Sequence, residues 1–428
     1  MMRLFLCLFI GTLFSTAARS QFDLGLELRP RMEFRNGYRF PSDTSSKDAF
    51  FISQRTRLNL DYADTIITAK LSIQDVRVWG DQPVFSDDAG LSIAAAWVQW
   101  HFARDWYLRT GRQELSFGDK RLIGPAEWRQ QARSHDALLL LYQKKAWLFQ
   151  LAGAFNQNAE RLSSTSYGIS QYKALGVFQA KRYSGPLKGF FLVIADGTQN
   201  LYAGTDEMDW RFTSGGSWSY PIGLFTFQAG GYSQNGVRFV DGRSLFAYML
   251  NGSVGYRHNN WSFTLGYDIL SGNDSIGSPD YRAFDNLYAT RNAFYGRMDY
   301  YYSFPGDMKE AGLHDAWLLV DYKVSYRHQL HGGLHYFQLD KPAFDPDSFE
   351  YAGKDLGQEL DLWYSFQARH DIQLELGQCF YLPGEDLPLV KGGSPDLLNT
   401  WSYFTIRFTP TLFTTRTPTE ELILETVE

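Results

Sequence analysis

The chain has 428 residues, a formal net charge of -6 and 17% aromatic residues, with a negative mean hydropathy. The mild charge and the lack of a basic run argue against nucleic acid as a partner. No run of roughly 20 apolar residues exists, which argues against a helical membrane protein and leaves either two or three soluble domains or one large barrel.

Residues 1–20 read as a secretory signal. Arg3 supplies the positive start, residues 4–14 form an apolar run too short to span a bilayer, and Ala18-Arg19-Ser20 is a small-x-small cleavage site. Cys7 lies inside that run, so Cys379 stands alone in the mature chain. An intrachain disulfide and a cysteine-based metal site are thereby excluded.

Two stretches follow that alternate strictly, FDLGLELRPRMEFR (22–35) and FISQRTRLNLDY (51–62). Phe22, Leu24, Leu26, Leu28, Met32 and Phe34 fall on one face of the first, and Glu27, Arg29, Arg31, Glu33 and Arg35 on the other. A period of two predicts β-strands, with successive side chains on opposite faces. The polar faces are dense in charges of both signs, as expected for a barrel with lipid outside and a wet lumen. An aromatic-rich soluble sandwich that binds carbohydrate is the alternative at this point. Ile67, Ala69, Leu71 and Ile73 share a face, and then Val76 and Val78 take over the apolar role. A bulge near Gln74-Asp75 accounts for this slip and aims Asp75 and Arg77 inward.

Downstream, Trp261, Phe263, Leu265, Tyr267 and Ile269 oppose Ser262, Thr264, Gly266 and Asp268, and the same alternation fills 246–256 and 356–368. Connections alternate between tight turns and long polar stretches at 36–49, 80–90, 118–133, 156–170, 196–207, 234–243, 271–312, 341–354 and 383–399. Short periplasmic turns and long extracellular loops have this asymmetry. The expected fold is therefore all-β: a transmembrane antiparallel β-barrel of about 18 strands in the bacterial outer membrane, spanning residues 21–409, with an acidic tail over 410–428. Surrounding outer-membrane lipid is its first partner.

With the odd face of the first strands lumenal, Arg29, Arg31, Arg35, Arg55, Arg57 and Lys70 share one wall, and Arg77, Arg109 and Arg112 continue it. Glu33, Asp75 and Glu114 are interspersed, as are Glu27 and Asp61. Arginines along a pore concentrate anions and pair with carboxylates in two-pronged fashion. The same residues also suit a purely structural ladder of self-neutralising charges. The basic loop 118–133, with Trp128, either folds inward as a constriction or stays solvated. Ser134-His135-Asp136 alternate faces and cannot form a triad. Asn273 and Asp274 fit an Asx turn better than a calcium loop. His331 and His335 share a face without a carboxylate near in sequence, so neither a metal nor a cofactor is expected.

Several blocks stand in an order that resembles the bacterial outer-membrane alginate export family. They are Gly111-Arg112-Gln113-Glu114-Leu115, Gly118-Asp119 and Trp128, then Leu265-Gly266-Tyr267-Asp268 and Ser271-Gly272-Asn273-Asp274. Phe284-Asp285-Asn286-Leu287-Tyr288, Tyr295-Gly296, Leu356-Gly357-Gln358-Glu359-Leu360-Asp361-Leu362 and Pro383-Gly384 follow. The resemblance implies an 18-stranded barrel whose arginine-rich constriction passes a polyuronate outward.

The function expected is a channel for anionic solutes, an anionic carbohydrate or a small anion, with a uronate-containing polysaccharide or its oligosaccharides as the candidate. A surface-binding barrel and a general porin without anion selectivity are the alternatives. A barrel-based enzyme lacks a credible nucleophile, base and oxyanion hole. A periplasmic partner is left open.

Overall fold

A computed structural model describes residues 20–85, 90–168, 171–200, 207–239, 241–273, 279–345 and 349–416. Residues 1–19 of the expected signal segment 1–20, Asp274 and residues 417–428 lie outside the described residues. Eighteen long strands form one antiparallel sheet. They are β1 (Gln21–Asn36), β2 (Ala49–Ala63), β3 (Ile67–Val78), β4 (Leu91–Ala103), β5 (Trp106–Gln113) and β6 (His135–Lys144). Next come β7 (Trp147–Phe155), β8 (Ala174–Arg182), β9 (Lys188–Gln199), β10 (Met208–Ile222), β11 (Phe225–Val237) and β12 (Ser244–His258). The last six are β13 (Trp261–Leu270), β14 (Leu313–Lys323), β15 (His328–Gln338), β16 (Asp355–Arg369), β17 (Ile372–Pro383) and β18 (Asn399–Phe408). One short helix, α1 (Leu387–Lys391), sits in the last long loop.

Each strand pairs with its sequence neighbour, and β18 returns to β1 through pairs such as Met32↔Phe404 and Arg35↔Trp401. The sheet is thus a closed barrel with no free edge, which a sheet in lipid requires because hydrocarbon offers no hydrogen-bond partner. The barrel runs past the expected limit at residue 409. After Pro410 the last strand resumes as Thr411–Thr414 and still pairs with β1, through Leu24↔Phe413. Pro410 has no N–H to give, yet its carbonyl accepts from Leu26 N at 3.0 Å, so the ladder survives the interruption.

Parity sorts side chains as the alternation requires. On β13, Leu265 is 63% exposed to the outside and Asp268 on the other face is 2% exposed. Around the short-turn end, outward rings form a girdle, with Trp106 against Tyr142 at 4.6 Å and Trp261 against Tyr322 at 4.3 Å. Such rings suit the membrane interface, apolar on one side and wet on the other.

The hydrophobic core is inside the barrel. Loop 114–134 and residues 279–312 turn back into the lumen, where Leu122, Ile123, Tyr300 and Tyr301 are fully buried against strand residues such as Phe337, Tyr381 and Trp401. The two loops bond to each other as a short parallel ladder: Tyr288 N to Leu122 O at 2.8 Å, Gly124 N to Tyr288 O at 2.9 Å and Thr290 N to Lys120 O at 2.9 Å. Their backbones would otherwise be buried unpaired, at a cost that no apolar contact offsets cheaply.

The lipid face yields a stability prediction. Leu265→Arg should lower unfolding free energy in vesicles by about 2–4 kcal/mol, as midplane charges do, while Thr264→Arg on the lumenal face costs little. Denaturant titration of the barrel refolded into lipid measures both.

Candidate functional site

Register brings the arginines of β1 and β2 together. Arg29 lies opposite Arg55, and Glu27 opposite Arg57. Two guanidiniums side by side repel, so carboxylates gather round them. Arg55, 0% exposed, binds Glu27 at 2.7 Å and Glu127 of the inserted loop at 2.8 Å. Arg57 bonds Gln74 at 2.9 Å and lies within 3.8 Å of both Glu114 and Glu127. Glu33 takes Arg31 at 2.9 Å and Arg35 at 2.7 Å, with the Trp401 indole N–H at 3.1 Å. Lys70 pairs with Asp61 at 3.0 Å.

Among the described residues, two of the wall arginines, Arg29 and Arg109, have neutral partners only. Arg29 donates to Gln130 Oε1 at 3.0 Å and to the carbonyls of Glu127 and Arg129 at 2.9 and 3.1 Å. Arg109 bonds Gln99 at 2.8 Å and lies 4.1 Å over the Trp97 ring.

Loop 118–133 takes the inward conformation. The wall arginines hold its backbone: Arg29 as above, Arg31 through Trp128 O at 2.9 Å, while Gln130 reaches Ser53 at 3.0 Å. Gly118 opens the loop at φ +60°, where a Cβ would come within 2.5 Å of Phe190. Trp128 then stands edge-on to Trp401 at 5.7 Å and Tyr403 at 5.0 Å, with Arg31 4.3 Å over its ring. Loop 271–312 meets it there, since Arg297 binds Glu375 at 3.0 Å and the Tyr403 hydroxyl at 2.6 Å.

On the long-loop side of this constriction, three guanidiniums surround one ring. Arg39, Arg129 and Arg291 lie 4.6, 4.3 and 4.9 Å from the centroid of Tyr302. Among the described residues none of the three has a carboxylate within ion-pair distance. The nearby acid is Asp299, which burial raises to about 6 although the Tyr38 hydroxyl donates to it at 2.6 Å. On the short-turn side, Arg29, Arg31, Arg407, Glu127 and Glu375 line a cavity of about 310 Å³. A second cavity of about 290 Å³ shares Arg407 and adds Lys70 and Arg416 at the periplasmic mouth. Basic side chains therefore stand along the lumen on both sides of Trp128, interleaved on the short-turn side with Asp23, Glu27, Asp61, Glu127 and Glu375.

Three of the expected wall residues are elsewhere. The β2–β3 register is unbroken from Ser53↔Val78 to Ala63↔Thr68, and the slip falls between β3 and β4 at Ser72/Ile73. No bulge re-aims Asp75 and Arg77, which stay on the outer face with Leu71 and bond each other at 2.6 Å. Arg112 is on the face opposite Arg109 and pairs outside with Asp136 at 3.2 Å. All three sit toward the long-loop end of their strands, where polar side chains no longer face hydrocarbon. His135 bonds the Tyr172 hydroxyl at 2.7 Å while Ser134 bonds Ala94 O, so this trio is dispersed. Asn273 accepts from Arg282 N at 2.7 Å, nine residues on, a bond across the loop and not an Asx turn. Arg407, Arg129, Arg291 and Glu127 were not foreseen. Arg407 had a usable signal, since closure puts the last strand beside the first, and it binds Glu27 at 3.1 Å.

Glu114 and Glu127 behave as a pair. Burial pushes both upward, but contact with Arg55 holds Glu127 down at about 2. Glu114 is raised to about 7, first by burial and then by the charge of Glu127.

A closed 18-strand barrel with a charged, loop-constricted lumen defines an outer-membrane channel protein of the porin class. The sequence profile of the alginate export family matches residues 20–388, and the chain belongs to that family, in the bacterial outer membrane. No curated protein matches it in sequence. Among solved structures it is similar to OccAB4 of Acinetobacter baumannii, at 13% identity and a TM-score of 0.62, covering 92% of this chain and 99% of that one. OccK5 (OpdH) of Pseudomonas aeruginosa is similar at 12% identity and a TM-score of 0.60, covering 91% and 99%. At these identities the likeness is one of fold.

Two predictions concern this site. As pH falls through about 7, Glu114 takes up a proton and the wall loses one negative charge. The anion-to-cation permeability ratio, read from reversal potentials, should rise over that interval, and Glu114→Gln should remove the dependence. Arg55→Met removes the buried guanidinium that Glu27 and Glu127 share and leaves them only Arg407 and Arg57, a loss that stays below the about 3–5 kcal/mol of a buried pair broken outright. The constriction loop should then detach, giving a larger and noisier single-channel current.

Proposed function

We propose that this channel prefers anionic solutes, and that a uronate-containing polysaccharide or its oligosaccharides is the substrate class. The observation that carries the reading is the cluster of Arg39, Arg129 and Arg291 around Tyr302, guanidiniums with no carboxylate in contact among the described residues. Charge left unneutralised at a constriction raises the local concentration of counter-ions and lowers the barrier to their entry. Guanidiniums also match carboxylates in geometry, which favours a uronate over a halide. Arg29 and Arg109, bonded to neutral partners, extend the cationic file along the wall. Membership of the alginate export family adds to the case for a uronate. The protein works as a passive conduit, with no catalytic step assigned.

A second reading has its own support. Arg31, Arg35, Arg55, Arg57 and Arg407 each meet a carboxylate, which is what a structural ladder in a non-selective porin would need.

Planar-bilayer recording under a salt gradient separates the two. Anion selectivity and block by an oligouronate are expected for the wild type. Replacing Arg39, Arg129 and Arg291 with Gln should lower the oligouronate association rate by about tenfold and move the permeability ratio toward one. An ohmic, unselective current that the triple variant leaves unchanged would establish the general porin instead.

A further inference from the structure

The lumen has a second wall of opposite character. Between loop residues 292–297 and strands β11 to β16 lies a cavity of about 350 Å³, within the size range of small-ligand sites. Asp119, Asp268, Asp315 and Asp361 line it, against Arg121 and Arg297. Both guanidiniums are already engaged. Arg121 binds Asp268 at 2.7 Å and Asp119 at 3.4 Å, while Arg297 binds Glu375 at 3.0 Å. His335 pairs with Asp315 at 3.0 Å. The cavity therefore offers acceptors in excess and no spare cation, so it is unsuited to a carboxylate.

Two glycines open the space. Gly266 faces Trp317 across β13 and β14, and a Cβ there would come within 2.1 Å of the indole. Trp317 thus lies flat on the wall and presents its ring to the cavity. Gly230 does the same for Asn251, whose Oδ1 would meet a Cβ at 2.6 Å. Asn251 is 8% exposed and lines the cavity, yet neither its Oδ1 nor its Nδ2 has a hydrogen-bond partner. A buried amide with both ends unpaired by protein is costly unless water or a ligand completes it, and a ligand with matching polar groups can take the place of the water.

A flat aromatic platform, an amide that can give and accept, and surplus carboxylate acceptors match one chemistry: a ring with an apolar face and a rim of hydroxyl or ammonium donors. We infer that this cavity is a saccharide subsite for an uncharged or amino-bearing sugar ring, distinct from the cationic file. The inference rests on the channel reading only in that solutes enter the lumen.

Saturation-transfer NMR on the full chain in detergent micelles tests it, with glucose, glucosamine and glucuronate, three rings of one shape and different charge. Glucose and glucosamine should receive saturation that Trp317→Leu and Asn251→Leu each reduce by about tenfold. Both variants should keep the heat-modifiable gel mobility of a folded barrel, and if one does not, the other decides. Transfer unchanged in the folded variants would overturn the subsite, as would Trp317-dependent transfer to glucuronate as strong as to glucose. Loss of oligouronate block with the sugar signal intact would defeat the anion channel alone, and the converse would defeat the subsite alone.

Discussion

Closure of β1 against β18 is the constraint on which the rest depends. A sheet in hydrocarbon cannot leave an edge unpaired, so the first and last strands must meet. Their meeting places Trp401 and Tyr403 beside the arginines of β1, and Arg407 beside Glu27. Glu33 shows how much converges there, since it accepts from Arg31, from Arg35 and from an indole 368 residues away in sequence. The aromatic side of the constriction is thus supplied by one end of the chain and the basic side by the other.

The barrel also turns the usual logic of a core inside out. Strand side chains that face lipid need no partner, and those that face inward are polar near the short-turn end. Burial of apolar surface then falls to the loops, which fold back and bond to one another through the Ile123–Tyr288 ladder. Their position relative to the wall is set by charge: Arg29 and Arg31 grip loop carbonyls, and Arg55 grips Glu127. Arginines near the N-terminus therefore act twice, as the electrostatic lining and as the anchors of the constriction. Neutralising them would alter shape and selectivity together, which is why the cluster around Tyr302, outside that anchoring set, reports on selectivity more cleanly.

The two walls of the lumen differ in what they leave unsatisfied. Among the described residues, the β1–β5 side, with the loops above it, keeps guanidiniums that no carboxylate touches, whereas the β12–β16 side keeps carboxylates and an unpaired amide beside an indole face. A polymer with acidic and hydroxylated faces would meet complementary chemistry on both.

Period-two alternation is a local property, and it made the strands, their faces and the long–short rhythm of connections legible from residue order. For Arg29, Arg31, Arg35, Arg55, Arg57, Lys70 and Arg109, parity alone gave the face on which each lies in the barrel. Parity misled at Asp75 and Arg77, because a bulge is defined by two strands and the slip belonged to the β3–β4 pair rather than to β3 by itself. At Arg112 the expected wall departed from parity, which puts a residue three places from Arg109 on the opposite face, and near the rim an outward charge carries no penalty. The inward turn of loop 118–133, the pairing of Glu114 with Glu127 and the gathering of Arg39, Arg129 and Arg291 around Tyr302 were decided only in three dimensions. They depend on which remote groups share a small volume of low polarity, and charge and burial act through distance in space, not along the chain.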